Sequence, residues 1–215
     1  FHLLSKVLKK PTHLFFLTEN EDVNIRSALS AIGEISTGTV STDITLYIRI
    51  KSTDLEELYY KRLSPKIKGV TLRFINDAEI TARQLLMKCH PVDFVEPDSL
   101  KSVAKSDFNL MLVGFGNTGD AVLRKLVEAG QFVGNQFNAW IIDKDVNSRA
   151  GSFMNRYPGI SKICNIRFLQ METGEVRFFD LIRENFNTLD LIIIALGDDT
   201  LNVHTAVDIH QLILK

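Results

Sequence analysis

The 215-residue sequence predicts an α/β fold, a parallel sheet with helices on both faces. Three observations lead there. Short apolar runs alternate with segments of helical spacing along the chain. Those runs are continuously apolar, as strands buried on both faces must be. One of them, Phe108–Val113, leads directly into Gly114-Phe115-Gly116-Asn117-Thr118-Gly119 and then into a helical pattern from Asp120.

The elements follow in order. Residues 1–10 carry Leu3, Leu4, Val7 and Leu8 at helical spacing, and Pro11 ends that helix. His13–Thr18 is a short buried strand. The acidic turn Glu19–Asp22 starts a helix over 23–32, closed by Gly33. A strand at 45–50 precedes a helix at 55–63, and a strand at 70–75 precedes a helix at 77–89 with Asp77 near its N-cap. Residues 91–106 hold Pro97, several charges and little periodicity, and read as a linker. The pattern then restarts, with strands at 110–113, 139–142, 165–170 and 190–196 and helices at 120–129, 148–156, 177–185 and 201–214.

Composition narrows the function. Hydrophobic residues make up 45% and charged residues 24%, and the net charge is −1, which gives no reason to expect nucleic acid or an acidic membrane as partner. The densest basic group, Lys61, Arg62, Lys66 and Lys68, reads as a solvated turn. Cys89 and Cys164 lack metal-ligand spacing and read as buried thiols of a reducing compartment. Cys89-His90 reads as a helix end, since Pro91 follows. No apolar run is long enough to span a bilayer. The chain opens on Phe1, so an excised piece of a longer protein is expected.

The glycines have separate tasks in such a strand–turn–helix context. Gly114 allows a tight turn out of the strand, Gly116 lets backbone approach a pyrophosphate, and Gly119 lets the helix pack closely. The helix start offers N–H groups and a positive dipole end to phosphate. This is the fingerprint of a Rossmann-type dinucleotide fold. Asp143 ends the second strand 24 positions beyond Gly119, near the roughly 20 expected for an acid that accepts from ribose hydroxyls. It favours NAD(H) or another adenine nucleotide over a 2′-phosphorylated one, while Lys144 and Arg149 lie within reach of a phosphate. As alternatives, Asp143 is a strand-end turn residue, and Asp198 or Asp199 caps a helix.

A repeat explains why the glycine motif lies mid-chain. His13-Leu-Phe-Phe-Leu-Thr-Glu-Asn-Glu-Asp-Val-Asn24 matches Leu191-Ile-Ile-Ile-Ala-Leu-Gly-Asp-Asp-Thr-Leu-Asn202 at an offset of 178 positions, from 24 to 202. Each copy is an apolar strand, an acidic turn, then Asn and an aliphatic residue opening a helix. The first part therefore supplies strands equivalent to four, five and six of a Rossmann sheet, and the second supplies one to four. Each leaves an edge or an apolar face to cover, so the two halves are expected to pack together or two chains to pair.

This arrangement resembles the TrkA-N family, also called RCK or KTN domains, Rossmann-type modules that regulate potassium channels and transporters. The resemblance rests on Gly114–Gly119, Asp143 and the acidic-Asn signatures at Glu21-Asp22-Val23-Asn24 and Asp198-Asp199-Thr200-Leu201-Asn202. Phe74-Ile-Asn-Asp-Ala-Glu-Ile resembles the end of such a module. It covers most of the chain: residues 1–97 as the C-terminal part of a first module truncated at its N-terminus, 98–107 as a linker, and 108–215 as a second module. Two features depart from the family. The third strand ends Leu169-Gln-Met-Glu-Thr where members carry Gly-Asp, so Glu172 stands in, and the loop at 130–138 is longer than usual.

The resemblance implies a nucleotide-sensing regulatory module of a transporter, channel or other membrane-linked protein, located in the cytoplasm and paired as a homodimer. The implied NAD-binding set is Gly114, Phe115, Gly116, Asn117, Thr118, Gly119, Asp143, Lys144, Glu172, Gly197, Asp198, Asp199 and Asn202. No Ser/His/Asp or Cys/His arrangement has supporting context, which turns the reading from catalysis to sensing. His204 and His210 read as surface residues, and Phe168, Phe178, Phe179 and Phe186 as core or interface. Two other readings stay open: an NAD-dependent oxidoreductase fragment without its substrate domain, and an assembly scaffold that binds no nucleotide.

Overall fold

The computed structural model describes residues 12–37, 43–51, 69–98, 100–101 and 103–214. The expected helices at 1–10 and 55–63 and the basic turn at 61–68 lie outside these. The chain divides into two compact units, Phe1–Ile80 and Thr81–Lys215.

In the first unit, β1 (Thr12–Phe16), β2 (Ile44–Ile50) and β3 (Val70–Asn76) pair in parallel in the order β1-β2-β3. Helix α1 (Glu21–Thr37) connects β1 to β2 and buries Ile25, Ala28 and Ile32 against Ile44, Leu46, Ile48, Ile50 and Leu72. Helix α2 (Asp77–Lys88) follows β3 directly. Its start is capped by Asn76, whose Oδ1 accepts from the N–H groups of Ala78 at 3.1 Å and Glu79 at 3.3 Å. The expected cap, Asp77, instead pairs with Arg49 at 2.6 Å. Asn76 is the better placed of the two because it precedes the first helical residue.

The boundary between the two units falls within α2. Within the expected linker, β4 (Pro97–Asp98) and β5 (Val103–Ala104) pair as an antiparallel hairpin. The Ala104 N–H donates to the Val133 carbonyl at 2.7 Å, which ties the hairpin to the long loop after the glycine-motif helix. That loop finds its backbone partners there, and the hairpin belongs to the second unit. His90 ends the preceding segment as expected: its Nδ1 accepts from the Val92 N–H, capping a short turn at Pro91–Phe94.

The second unit contains β6 (Phe108–Val113), α3 (Asn117–Ala129), β7 (Phe137–Asp143), α4 (Val146–Arg156), β8 (Cys164–Gln170), α5 (Val176–Asn185), β9 (Leu191–Ile194) and α6 (Asp199–Ile213). All four strands are parallel, in the order β8-β7-β6-β9. This is a Rossmann-like α/β fold. On one face Met111, Val113 and Ile142 pack with Phe178 and Ile182 of α5 and Ile209 of α6. Another cluster packs Phe115, Phe153 and Phe168 in tilted and edge-to-face contacts, with ring centroids 5.4–6.2 Å apart. Phe186 is 39% exposed and lies outside the core. Near the strand starts, amides bond across the sheet. Asn165 donates to Asn138, Asn138 to Asn109, and the Asn109 N–H to Asp190 at 2.7 Å. Burial pushes the Asp190 carboxyl up, against the lowering effect of its Asn109 bonds.

The repeat is present in two shared hydrogen bonds. The Asn24 Oδ1 accepts from the Thr18 N–H at 2.8 Å, and the Asn202 Oδ1 accepts from the Leu196 N–H at 2.8 Å. One turn earlier, Asn20 accepts from the Val23 N–H at 3.1 Å and Asp198 from the Leu201 N–H at 2.8 Å. Each pair of equivalents is 178 positions apart. The Asn therefore locks a strand end to the following helix, and the residue four before it caps that helix.

The two locks differ in load. Asn24 is buried, also accepts from the Thr18 hydroxyl, and donates to the Thr18 and Arg49 carbonyls. Replacing Asn24 by Ala strands several of these groups and is expected to cost about 2–3 kcal/mol, against about 1 kcal/mol for Asn202→Ala. Hydrogen exchange of the β1 and β9 amides measures both, and equal losses would contradict the difference. Of the cysteines, Cys89 is half-buried, whereas Cys164 is buried. The Cys164 thiol donates to the Ile160 carbonyl and burial pushes it up to about 11. At pH 8 Cys89 should therefore alkylate with iodoacetamide well before Cys164, read by mass spectrometry.

Candidate nucleotide cleft

Strand order reverses between β6, which is followed by α3, and β9, whose helix α6 packs with α5. A crevice opens at the carboxyl ends of the strands at such a point. In the second unit it is a cleft of about 980 Å³. Its floor is Ile142, Ala195 and Leu196, and its rim carries Gly116, Asn117, Thr118, Asp143 and Lys144.

The glycine loop is shaped by backbone crowding. Gly114 has φ of +98°, and a Cβ there would overlap the Ala195 carbonyl at the end of β9. A Cβ at Gly119 would overlap the Gly114 carbonyl. Both glycines are required by the protein's own packing. Gly116 is not: a Cβ there meets nothing nearer than the Arg149 guanidinium at 3.6 Å, and its φ is an ordinary −80°. Gly116 is also the N-cap of α3 and has no side chain to accept from the first turn. The α6 N-terminus, by contrast, is closed by Asp198. Of the two helices that begin at the carboxyl ends of β6 and β9, α3 is therefore the one whose first-turn N–H groups are left for a ligand.

Asp143 is only 11% exposed at its side chain and is held from three directions. Its Oδ2 accepts from the Phe115 N–H at 2.8 Å and lies 3.5 Å from Arg149 Nη1; its Oδ1 accepts from the Asp145 N–H at 2.7 Å. The turn-residue role and a lining position thus coexist. A carboxylate has about four acceptor positions, so Oδ1 keeps room for a ribose hydroxyl. Arg149 stands between Asp143 and the open side of Gly116.

Of the residues expected at the site, Gly116, Asn117, Thr118, Asp143, Lys144, Glu172 and Gly197 line the cleft. Gly114 and Gly119 are buried behind it as shape-setting residues, and Phe115 is buried among rings. Asp198 caps α6 and Asn202 locks Leu196; neither lines the cleft, nor does Asp199. The Glu172 N–H is held by Glu175 at 2.9 Å. That bond first, and then Arg177, holds the Glu175 carboxyl below its usual range.

The residues missed from sequence are on the far wall. Leu201, His204, Thr205 and Asp208 of α6 face the cleft, opposite Met171, Thr173, Gly174 and Phe179. His204 is exposed, as expected, but on the cleft side. Spacing of i, i+3, i+4 and i+7 from Leu201 was the available signal.

The second unit is thus a Rossmann-like domain with a cleft at its topological switch point. No protein-family model and no curated protein matches the sequence. Among solved structures the chain is similar to L-tryptophan dehydrogenase from Nostoc punctiforme, at 11% identity and a TM-score of 0.26, over 74% of this chain and 51% of the enzyme. The match spans about half of that enzyme's length, and at this overlap it says nothing of activity or ligand.

The two glycines give a sharp contrast. Gly114→Ala should destabilise the second unit by about 3 kcal/mol or more, from backbone overlap and positive φ. Gly116→Ala should cost about 1 kcal/mol or less, the ordinary preference for Gly over Ala at an N-cap. Urea unfolding followed by fluorescence of Trp140, on β7, reads both; equal losses would show that Gly116 also serves packing.

Proposed function

We propose that the cleft binds NAD(H) or another adenine nucleotide, and that the protein is a regulatory module of the TrkA-N type. One observation carries the first part: the chain keeps glycine at position 116, where its own packing leaves space for a side chain. That space faces the uncapped start of α3, which suits a pyrophosphate. Asp143 would take the adenosine ribose, with Glu172, Met171 and Phe179 on the adenine side. Gly197 and the α6 wall would meet the distal half of a dinucleotide.

The regulatory part is supported by the twice-used strand–Asn–helix unit and by the family resemblance. Ligand at the glycine loop would bias the packing of paired modules, in a homodimer, and so an attached transporter or channel. Among the described residues, no helix is long and apolar enough to cross a membrane.

Titration with NAD⁺, NADH, ATP, ADP and AMP, read by calorimetry, tests the reading. At least one should bind the parent and lose affinity about a hundredfold or more in Gly116→Ala, because a methyl group displaces the phosphate from the loop. Binding that survives Gly116→Ala would place the ligand elsewhere. No binding by any of them would favour the scaffold, and nicotinamide turnover at enzymatic rates would favour the oxidoreductase.

A further inference from the structure

The Asp143 carboxylate is not free to hold a ribose by both oxygens. A ribose bound through its 2′- and 3′-hydroxyls needs an acceptor for each. Oδ1 keeps one place beside the Asp145 N–H. Oδ2 already accepts from the Phe115 N–H at 2.8 Å and faces the Arg149 guanidinium at 3.5 Å. One hydroxyl is therefore provided for, and the place of the other is taken by a cation.

That cation is loosely held. Among the described residues, the one polar contact of Arg149 is the long one to Asp143, and its side chain is 45% exposed. The neighbouring arginines are held closely: Arg124 and Arg156 meet Asp120 at 2.9 and 2.6 Å. A guanidinium has five N–H donors and accepts nothing, so most of the donors of Arg149 are unspent.

A groove of about 440 Å³ opens beside it, between the start of α3 and α4. Gly116, Asn117 and Arg149 border both groove and cleft, so the two spaces meet at the glycine loop. On α4 the groove is lined by Ser148, Ser152 and Arg156, four residues apart and hence on one side of the helix. Among the lining residues the one carboxylate is Asp120, and its two oxygens are taken by Arg124 and Arg156. The groove is thus polar, cationic where it meets the cleft, and without an unpaired acid to repel an anion.

We infer that this groove is a subsite for a phosphate monoester on the ribose of the bound nucleotide, and that Arg149 determines that specificity. The inference rests on the reading of the cleft as an adenine-nucleotide site. One ribose hydroxyl donates to Asp143 Oδ1. The other carries the phosphate, which takes the Arg149 fork as a bidentate pair. The spacing of Asp143 from the glycines predicts the opposite preference, and the bonds that hold its Oδ2 are what change it.

Adenosine 2′,5′-bisphosphate and adenosine 3′,5′-bisphosphate are the probes, titrated into the full chain beside AMP and NAD⁺ and read by calorimetry. At least one bisphosphate should bind about tenfold or more tighter than AMP, and which one does so tells a 2′- from a 3′-phosphate. In Arg149→Gln that gain over AMP should disappear. Arg149→Lys, which keeps the charge and loses the fork, should retain part of it. Arg167→Gln, exposed on β8 and lining neither space, should leave the gain intact. Arg149 is itself exposed, and melting curves read by Trp140 check the fold of each variant. If AMP or NAD⁺ binds and neither bisphosphate binds tighter than AMP, or if the gain persists in Arg149→Gln, the proposal is overturned and the adenine-nucleotide reading stands. Absence of binding by all four removes both.

Discussion

In the second unit the backbone at Gly114 passes close against Ala195. The ends of β6 and β9 approach so tightly there that a single Cβ has no room. This contact sets the crevice. It brings the α3 N-terminus and the Gly197 turn to either side of one opening, and Gly119 then seats α3 on the Gly114 carbonyl. The parallel registers of β6 with β7 and β9 carry the geometry out to Asp143 and Leu196. The cleft is thus a consequence of how parallel strands end, and the side chains on its rim decide what enters.

Much of this was legible in the sequence. The packing roles of Gly114 and Gly119, the strand order of each part and the repeat could be read because each rests on local chemistry or fixed spacing. Residues 97–104 could not, since two-residue strands have no period and Pro97 argues for a turn. The acidic-Asn signature could be read as helix cap or as ligand contact, and in the structure Asp198 caps a helix while Asn24 and Asn202 join strand to helix. Capping chemistry and ligand chemistry employ the same side chains, and only geometry separates them. His204, Thr205 and Asp208 were missed because their role depends on which side of α6 faces the crevice.

The repeat also places one strand–Asn–helix unit in two different surroundings. The same strand–Asn–helix unit appears once with its following strand and once without one among the described residues. In the first unit the helix is buried on two sides; in the second, one side lines the cleft and another lies open.

The central claim is that the uncapped start of α3 at Gly116 receives phosphate. Backbone ¹H–¹⁵N spectra of the full chain with and without NAD⁺ test it most directly. The account predicts that the largest shifts fall on the amides of Gly116, Asn117 and Thr118, with smaller ones at Gly197 and on the cleft side of α6. Unchanged amides at 116–118, or shifts centred on the first unit, would contradict it.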